Sequence, residues 1–263
     1  MSQEIIEKPN YDVATYEDAG AGTEGFTQET LTLPYIKMIQ KASPECDPAT
    51  EVFNDAIRPG MYVNSATGRI YGTGLDVVVA QFQHRVNEWA PRSQGGGLRG
   101  VYLPKDRPLD TREVVVENRK RTVRENGNFL EDSFYYYALV NEKNEDGEGD
   151  GEFDMGVISF KSTGLTIAKR FNMSILSQKV RTPSGKVVPK AIYSQLYRFQ
   201  TIRKENSMGV WYMASISRAR ELSPDEELYQ QAKAFNAIAL GAKVHGEESE
   251  NVAASETPSE VKL

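Results

Sequence analysis

Cysteine, histidine and long apolar runs are all scarce in this chain of 263 residues. The one cysteine, Cys46, excludes an intramolecular disulfide and any zinc cluster built on thiolates. No apolar run approaches the roughly 20 residues needed to span a bilayer, so we expect no membrane partner. Residues 1–10 are polar and acidic and lack the positive and apolar regions of a secretory signal, so we expect a cytoplasmic protein.

Groups that perform catalysis or bind metals are equally sparse. A nucleophile and base would require Cys46 beside His84, and nothing in the sequence places these two residues together. Asp146, Asp150 and Asp154 lack the ligand spacing of an EF-hand and are typical of a solvated turn. We therefore expect no enzymatic activity, no catalytic residue, no metal and no cofactor.

The net charge of −6 is distributed unevenly along the chain. Residues 1–60 carry −7, residues 61–156 carry −4 and residues 221–263 carry −6. Residues 157–220 contain 12 Lys and Arg and a single acidic residue, Glu205, which gives +11. This pattern favours a surface that binds a polyanion, because neutralising phosphates releases their counterions. The alternative is a solvated basic face that pairs with acidic neighbours.

Composition divides the chain into four parts. Residues 1–30 are rich in Glu, Gly, Thr and Asp without a sustained period, which predicts a flexible N-terminal segment. Residues 31–220 contain the folded domain with inserted loops. Residues 221–245 have the apolar spacing of a helix, and residues 246–263 are predicted to be a disordered acidic tail.

Periodicity in the folded part predicts a mainly β domain with flanking helices, of the α+β class. Strands are predicted at 61–83, 134–140, 156–160, 192–203 and 210–216. A helix is predicted at 163–178, where Ile167, Ala168, Phe171 and Ile175 share a face. A helix between the third and fourth strands is typical of the five-stranded Greek-key OB-fold, so we expect an OB-like barrel.

The strand at 192–203 carries the first candidate binding residues. At a period of two, one of its faces presents Tyr193, Tyr197, Phe199 and Arg203. Aromatic rings stack on bases without regard to sequence, and a terminal Arg suits phosphate contact. The alternative is that these rings pack beneath the C-terminal helix. Trp211, in the next strand, is either a stacking platform or part of the core.

Further candidates come from the aromatic strand at 134–140 and from the basic stretch. One pair of alternate rings in that strand must point away from the barrel interior, so Tyr135 and Tyr137 are included. Cations near the helix suit phosphate contact, and the loop at 179–190 is expected to be mobile and to close over a DNA strand. The candidate cations are Lys161, Lys169, Arg170, Lys179, Arg181, Lys186 and Lys190.

Residues 156–176 and 193–217, with the acidic tail at 246–263, resemble the phage-encoded single-stranded DNA-binding proteins with an OB core. The resemblance covers under half of the chain. It implies binding of single-stranded DNA without sequence preference, during phage DNA replication or recombination in the host cytoplasm. It also implies an acidic tail that recruits replication proteins and competes with DNA. The tail departs from that pattern by ending in Val261-Lys262-Leu263, with a base beside the terminal apolar residue.

Two other functions fit the same sequence. The first is a β-rich phage structural or assembly protein, and the second is a regulator that binds a host protein. Salt-sensitive affinity for oligo-dT distinguishes DNA binding from both alternatives. The sequence is compatible with an oligomer and does not specify its size.

Overall fold

The computed structural model of the chain describes residues 33–116, 119–142, 152–207 and 209–241. The predicted flexible segment at 1–30 and the predicted tail at 246–263 lie outside these residues. The strands are β1 (Ile36–Met38), β2 (Tyr62–Asn64), β3 (Gly74–Trp89), β4 (Leu98–Tyr102), β5 (Thr111–Val116), β6 (Arg119–Arg124), β7 (Phe129–Glu142), β8 (Asp154–Lys161), β9 (Lys179–Arg181), β10 (Val187–Pro189), β11 (Gln195–Asn206) and β12 (Gly209–Glu221). The α-helices are α1 (Gly164–Ser177) and α2 (Glu227–Gly241).

Eight antiparallel strands form the main sheet. Their order is β12–β11–β3–β7–β6–β5, with β4 beside β3 and β8 beside β7. The long strands β3 and β7 pair from one end to the other, with a register shift between Val79 and Gln81. Such a shift leaves a residue unpaired and bends the strand. β3 and β7 therefore form the centre of the sheet, and β12 lies at one edge.

The central strand β7 is buried on both faces. Its even-numbered residues belong to the core that α1 covers, and they are Phe134, Tyr136, Ala138 and Val140. Its odd-numbered residues belong to the core that α2 covers, and they are Tyr135, Tyr137 and Leu139. A strand with two buried faces is apolar at successive positions, which explains the continuous aromatic and aliphatic run in the sequence. The sheet is thus the middle layer between two helices.

Both predicted helices are present. α1 buries Ala168, Phe171 and Ile175, three of the four residues on the predicted face, and the fourth, Ile167, is half-buried. Thr163 occupies the N-cap position, although its side chain forms no capping hydrogen bond. In the described part of the chain, neither helix is long and apolar enough to cross a membrane.

The prediction of a mainly β fold with flanking helices is confirmed. Among the described residues the sheet is open, and the OB-like barrel stays a prediction. The stretch predicted as a loop at 179–190 is instead a hairpin, because β9 and β10 pair with Val180 opposite Val188. Its base is closed by Lys190, whose backbone N–H donates to the carbonyl of Gln178 at 2.8 Å.

A segment that includes β1 lies between β8 and β12. Tyr35 forms a parallel bridge with Val157 of β8. The amide of Gln40 donates to the backbone carbonyl of Tyr212 in β12 at 3.1 Å and accepts from its N–H at 2.9 Å. The Gln40 side chain therefore satisfies the backbone N–H and C=O of Tyr212, as a neighbouring strand would. Gly60 is required nearby, because a Cβ there would lie 2.8 Å from the Tyr212 ring at a φ of +94°.

Candidate nucleic-acid interface

Four of the aromatic rings predicted to stack on bases lie in the protein core. Tyr197 and Phe199 of β11 are 1% and 0% exposed, and Tyr135 and Tyr137 of β7 are 0% and 2% exposed. The ring of Phe171 in α1 meets Tyr197 and Phe199 edge-on, with centroids 4.8 and 5.5 Å apart. The prediction is corrected for these four residues, because a base cannot stack on a ring that the core encloses.

The two ends of the same predicted face are also engaged. Tyr193 is half-buried and packs edge-on against Tyr229 of α2, with centroids 5.1 Å apart. Tyr193 therefore follows the alternative in which the rings pack beneath the C-terminal helix. Arg203, near the tip of the β11–β12 hairpin, is exposed and pairs with Glu205 at 2.8 Å.

Arg198 is the one cation on the opposite, otherwise core-like face at the start of β11. Its Nε and Nη2 donate to the two carboxylate oxygens of Asp76 at 2.9 and 3.2 Å. Asp76 lies directly opposite Arg198 in the pairing of β11 with β3. This bidentate ion pair satisfies the charge of Arg198 on a face that is otherwise core-like. Arg198 therefore stabilises the fold and is not part of the binding surface.

A cleft of about 730 Å³ lies between β12 on one side and β1, β8 and the start of α1 on the other. We call it the tryptophan cleft, because half-buried Trp211 lines it. Two cations line it, Lys37 from β1 and the sequence candidate Lys161 from β8. The Nζ of Lys161 lies 5.5 Å from the centroid of the Trp89 ring. Glu45 is the one carboxylate in the described lining.

A second cleft, of about 360 Å³, lies between α1 and the β11–β12 hairpin. We call it the arginine cleft, because Arg170 of α1 and Arg218 of β12 line it together with Lys204. Its described lining contains no carboxylate. Hydroxyl groups are contributed by Ser174, Ser215 and Ser217.

The tryptophan and arginine clefts are neighbouring parts of one groove. Their linings share Ile167 of α1 and Met213 and Ala214 of β12. The groove therefore runs along the edge strand, with the aromatic ring of Trp211 in one part and a cluster of cations in the other.

The β9–β10 hairpin adds a second basic surface directly after α1. Lys179, Arg181 and Lys186 are exposed, and the guanidinium of Arg181 donates to the carbonyl of Gly185 at 2.9 Å. Lys190 is held differently, because it forms an ion pair with Glu221 at the end of β12. That ion pair lowers the pKa of Glu221. Three of the four predicted cations of this segment are therefore accessible.

Pairing separates the 12 cations of residues 157–220 into three groups. Four pair with described carboxylates: Arg198 with Asp76, Lys190 with Glu221, Arg203 with Glu205 and Arg220 with Glu226. Lys161 is half-buried, lies over the ring of Trp89 and has a further interaction as well. The other seven are exposed and form no ion pair with another described residue, namely Lys169, Arg170, Lys179, Arg181, Lys186, Lys204 and Arg218.

The carboxylate of Glu88, which is far from this groove in the sequence, accepts hydrogen bonds from four side chains. Glu88, near the end of β3, is 2% exposed. Burial alone would raise its pKa, but hydrogen bonds from Asn128, Tyr102, Arg124 and Asn126 lower the pKa to about 2. Arg124 also binds Asp110 at 2.9 Å. The network ties the β6–β7 turn to β3, which is a structural role. Elsewhere too, the described residues hold no group of three or more His, Cys, Asp or Glu that suits a metal.

Three cations that line the groove are not among the sequence candidates, namely Lys37, Lys204 and Arg218. Lys37 lies in β1, whose position beside β8 depends on pairing that the sequence does not reveal. Lys204 and Arg218 lie in a hairpin that the sequence does predict. Arg218 lies opposite Tyr197 in the register of that hairpin. Aligning the two predicted strands residue by residue therefore identifies Arg218 as a neighbour of the aromatic strand.

Fold and groove together define a mainly β protein, with a helix on each face of an antiparallel sheet and a basic groove beside one edge strand. The profile of the Pam3 phage gp34-like protein family matches residues 6–245, and the chain belongs to this family. It is therefore a phage protein. Comparison with curated proteins found no match, and comparison with solved structures found none either.

Proposed function

We propose that this protein binds single-stranded DNA without base-sequence readout, in phage DNA replication or recombination within the host cytoplasm. The observation that carries the proposal is the set of seven exposed cations in residues 157–220 that form no ion pair with another described residue. Three of these cations, Arg170, Lys204 and Arg218, line the groove, and three more lie on the neighbouring β9–β10 hairpin. Cations without an ion pair favour a polyanion, because each phosphate that they contact releases condensed counterions.

The tryptophan cleft supports a single strand over a duplex. Trp211 of β12 is half-buried and lines the cleft, so a ligand that reaches its ring must present a flat group that can enter the cleft. A base inside a duplex is stacked and paired and does not reach such a recess. An unpaired base does, and aromatic stacking contributes about 1–3 kcal/mol per base whatever its identity. The groove therefore suits binding without sequence preference.

The alternatives of a structural protein and of a host-protein regulator carry no comparable support. The structural role needs the basic stretch to be neutralised by neighbours, whereas seven of its twelve cations form no ion pair with another described residue. A regulator needs an acidic partner protein, and such a partner would not require the aromatic ring in the tryptophan cleft. We propose binding without catalysis, and recruitment of replication proteins through the acidic tail at 246–263, which lies outside the described residues.

Titration of fluorescent oligo-dT with the full chain, at several salt concentrations, tests the proposal. Affinity should fall linearly with salt on a double-logarithmic plot, with a slope of about −0.7 for each phosphate contacted. A duplex of equal length should compete poorly at the same salt. Absence of oligo-dT binding at low salt, or a slope of zero, would overturn the proposed function.

A further inference from the structure

We propose that the two clefts divide the work of holding a single strand: the arginine cleft binds phosphodiester groups, and the tryptophan cleft accepts an unstacked base. This inference rests on the proposed function and assigns a chemical role to each part of the groove. It also adds Lys204 and Arg218 to the binding residues.

The chemistry of the arginine cleft is that of a phosphate site. Arg170, Lys204 and Arg218 line it, and its described lining contains no carboxylate that would compete with an anion. A guanidinium presents a planar fork of donors that matches two phosphate oxygens. The hydroxyls of Ser174 and Ser215 supply neutral donors beside these charges. The cleft is therefore suited to negative oxygens.

The chemistry of the tryptophan cleft differs. Met38, Phe160 and Trp211 give it apolar and aromatic walls, and Glu45 in its lining repels phosphate. A base has a flat apolar face and a polar edge, so it fits a cleft with apolar walls and a few polar groups. Each cleft thus favours the part of a nucleotide that the other disfavours.

Their position makes simultaneous use feasible. Ile167, Met213 and Ala214 belong to both linings, so the clefts meet at the middle of the same edge strand. A strand lying along β12 passes from one to the other without crossing the core. Its phosphates would be held between α1 and the hairpin, while a base turns into the recess beside Trp211.

The phosphate assignment is tested by a cleft triple variant: Arg170→Gln, Lys204→Gln and Arg218→Gln. All three residues are exposed, so the variant keeps the fold, which circular dichroism verifies. If each cation contacts a phosphate, the salt slope for oligo-dT should lose about two units, at about 0.7 for each contact.

A remote triple variant provides the matched control, with the same change in net charge. Its substitutions fall on exposed cations that line neither cleft and form no ion pair with another described residue: Lys105→Gln, Arg112→Gln and Lys233→Gln. We expect its salt slope to equal that of the unmodified protein.

The base assignment is tested through tryptophan fluorescence, because the chain has two tryptophans. The Trp89→Phe variant leaves Trp211 as the reporter, and oligo-dT should quench it. The Trp211→Phe variant leaves Trp89, which is 8% exposed, and should show little quenching. Trp211→Leu should weaken oligo-dT binding at least about fivefold, the lower end for stacking of one base, with an unchanged salt slope.

The outcomes separate this inference from the proposed function. If the unmodified protein fails to bind oligo-dT at low salt, the proposed function falls and the division falls with it. If it binds with a salt-dependent affinity but the two triple variants have equal slopes, the phosphate assignment of the arginine cleft is overturned alone. Quenching of Trp89 rather than Trp211 would overturn the base assignment alone.

Discussion

Two regions of this chain are rich in arginine and lysine, and they differ in how many carboxylates accompany those charges. Residues 98–124 contain four acidic residues, and residues 157–220 contain one. In the region of β4 to β6, Arg124 pairs with Glu88 and Asp110, and Lys120 pairs with Glu113. Arg121 lies over the ring of Phe129, 5.3 Å from its centroid.

In the region of β8 to β12, seven exposed cations form no ion pair with another described residue, and in the region of β4 to β6 the exposed Lys105 and Arg112 form none either. The difference shows that a count of cations along the sequence does not locate a polyanion site. What matters is whether carboxylates from other strands reach those cations.

The largest expected effect concerns the buried rings of the β8–β12 region, which we expect to stabilise the fold and not to bind DNA. Phe199→Ala should destabilise the protein by about 3–5 kcal/mol, because it leaves a cavity beneath α1. Urea unfolding measures this loss. Phe53→Ala is the matched control, since Phe53 is 42% exposed and its removal should change stability by no more than about 0.5 kcal/mol. Full stability of Phe199→Ala with weaker oligo-dT binding would restore the stacking role that the sequence suggested.

A second test concerns the paired region. Glu88→Gln should destabilise the protein by about 2–3 kcal/mol at pH 7, because the charged acceptor of several partly buried hydrogen bonds is lost. The folded pKa of Glu88 is about 2, below its ordinary value of 4.5. Its stabilisation is therefore complete above pH 4.5 and is lost as the pH falls towards 2. The gap between the unmodified protein and Glu88→Gln should narrow across that window.

Denaturant unfolding at a series of pH values measures that gap. Glu113→Gln, which removes an exposed carboxylate of the same region, is the control and should show no such window. Glu88→Gln should also leave the salt slope for oligo-dT unchanged. A gap that is constant from pH 7 to pH 2 would show that the Glu88 charge does not stabilise the fold.

The smallest expected effect concerns the mutual repulsion of the cations that line the arginine cleft. Removing unneutralised cations relieves mutual repulsion, so the cleft triple variant should melt slightly higher than the unmodified protein at low salt. The difference should disappear at 1 M salt, where the Debye length is about 3 Å. The remote triple variant should show less of this gain. Thermal melting at the two salt concentrations decides, and a lower melting temperature for the cleft triple at low salt would show that its cations are paired in solution.

Much of the fold can be predicted from local patterns in the sequence. The hairpin of β11 and β12 follows from two β-rich runs around a polar turn, and α1 follows from the spacing of Ala168, Phe171 and Ile175. Gly156 shows where local pattern fails. It accommodates Ile36, whose side-chain carbons would lie 2.8 Å from a Cβ at that position, and contact between such distant parts of the chain leaves no periodic signal.

The candidate site was predictable in part. Lys161, Arg170 and Trp211 were sequence candidates and do line the groove. The alternate rings of Tyr197 and Phe199 on one strand face predict base stacking, yet a face that packs against a helix produces the same alternation. Period two identifies the two faces of a strand without saying which one meets solvent, and here α1 covers the face with the rings.

By itself the sequence determined the class of fold, the type of most elements and the location of the unbalanced positive charge. These depend on side-chain periodicity and on composition, which are local. Only the tertiary structure decided which rings are buried and which cations are neutralised. Asp76 and Arg198 meet because β3 and β11 are neighbours in the sheet, although they are 122 positions apart in the chain. Contacts of that kind depend on strand order, because a strand can bury either face and a cation can pair with any carboxylate that folding brings near it.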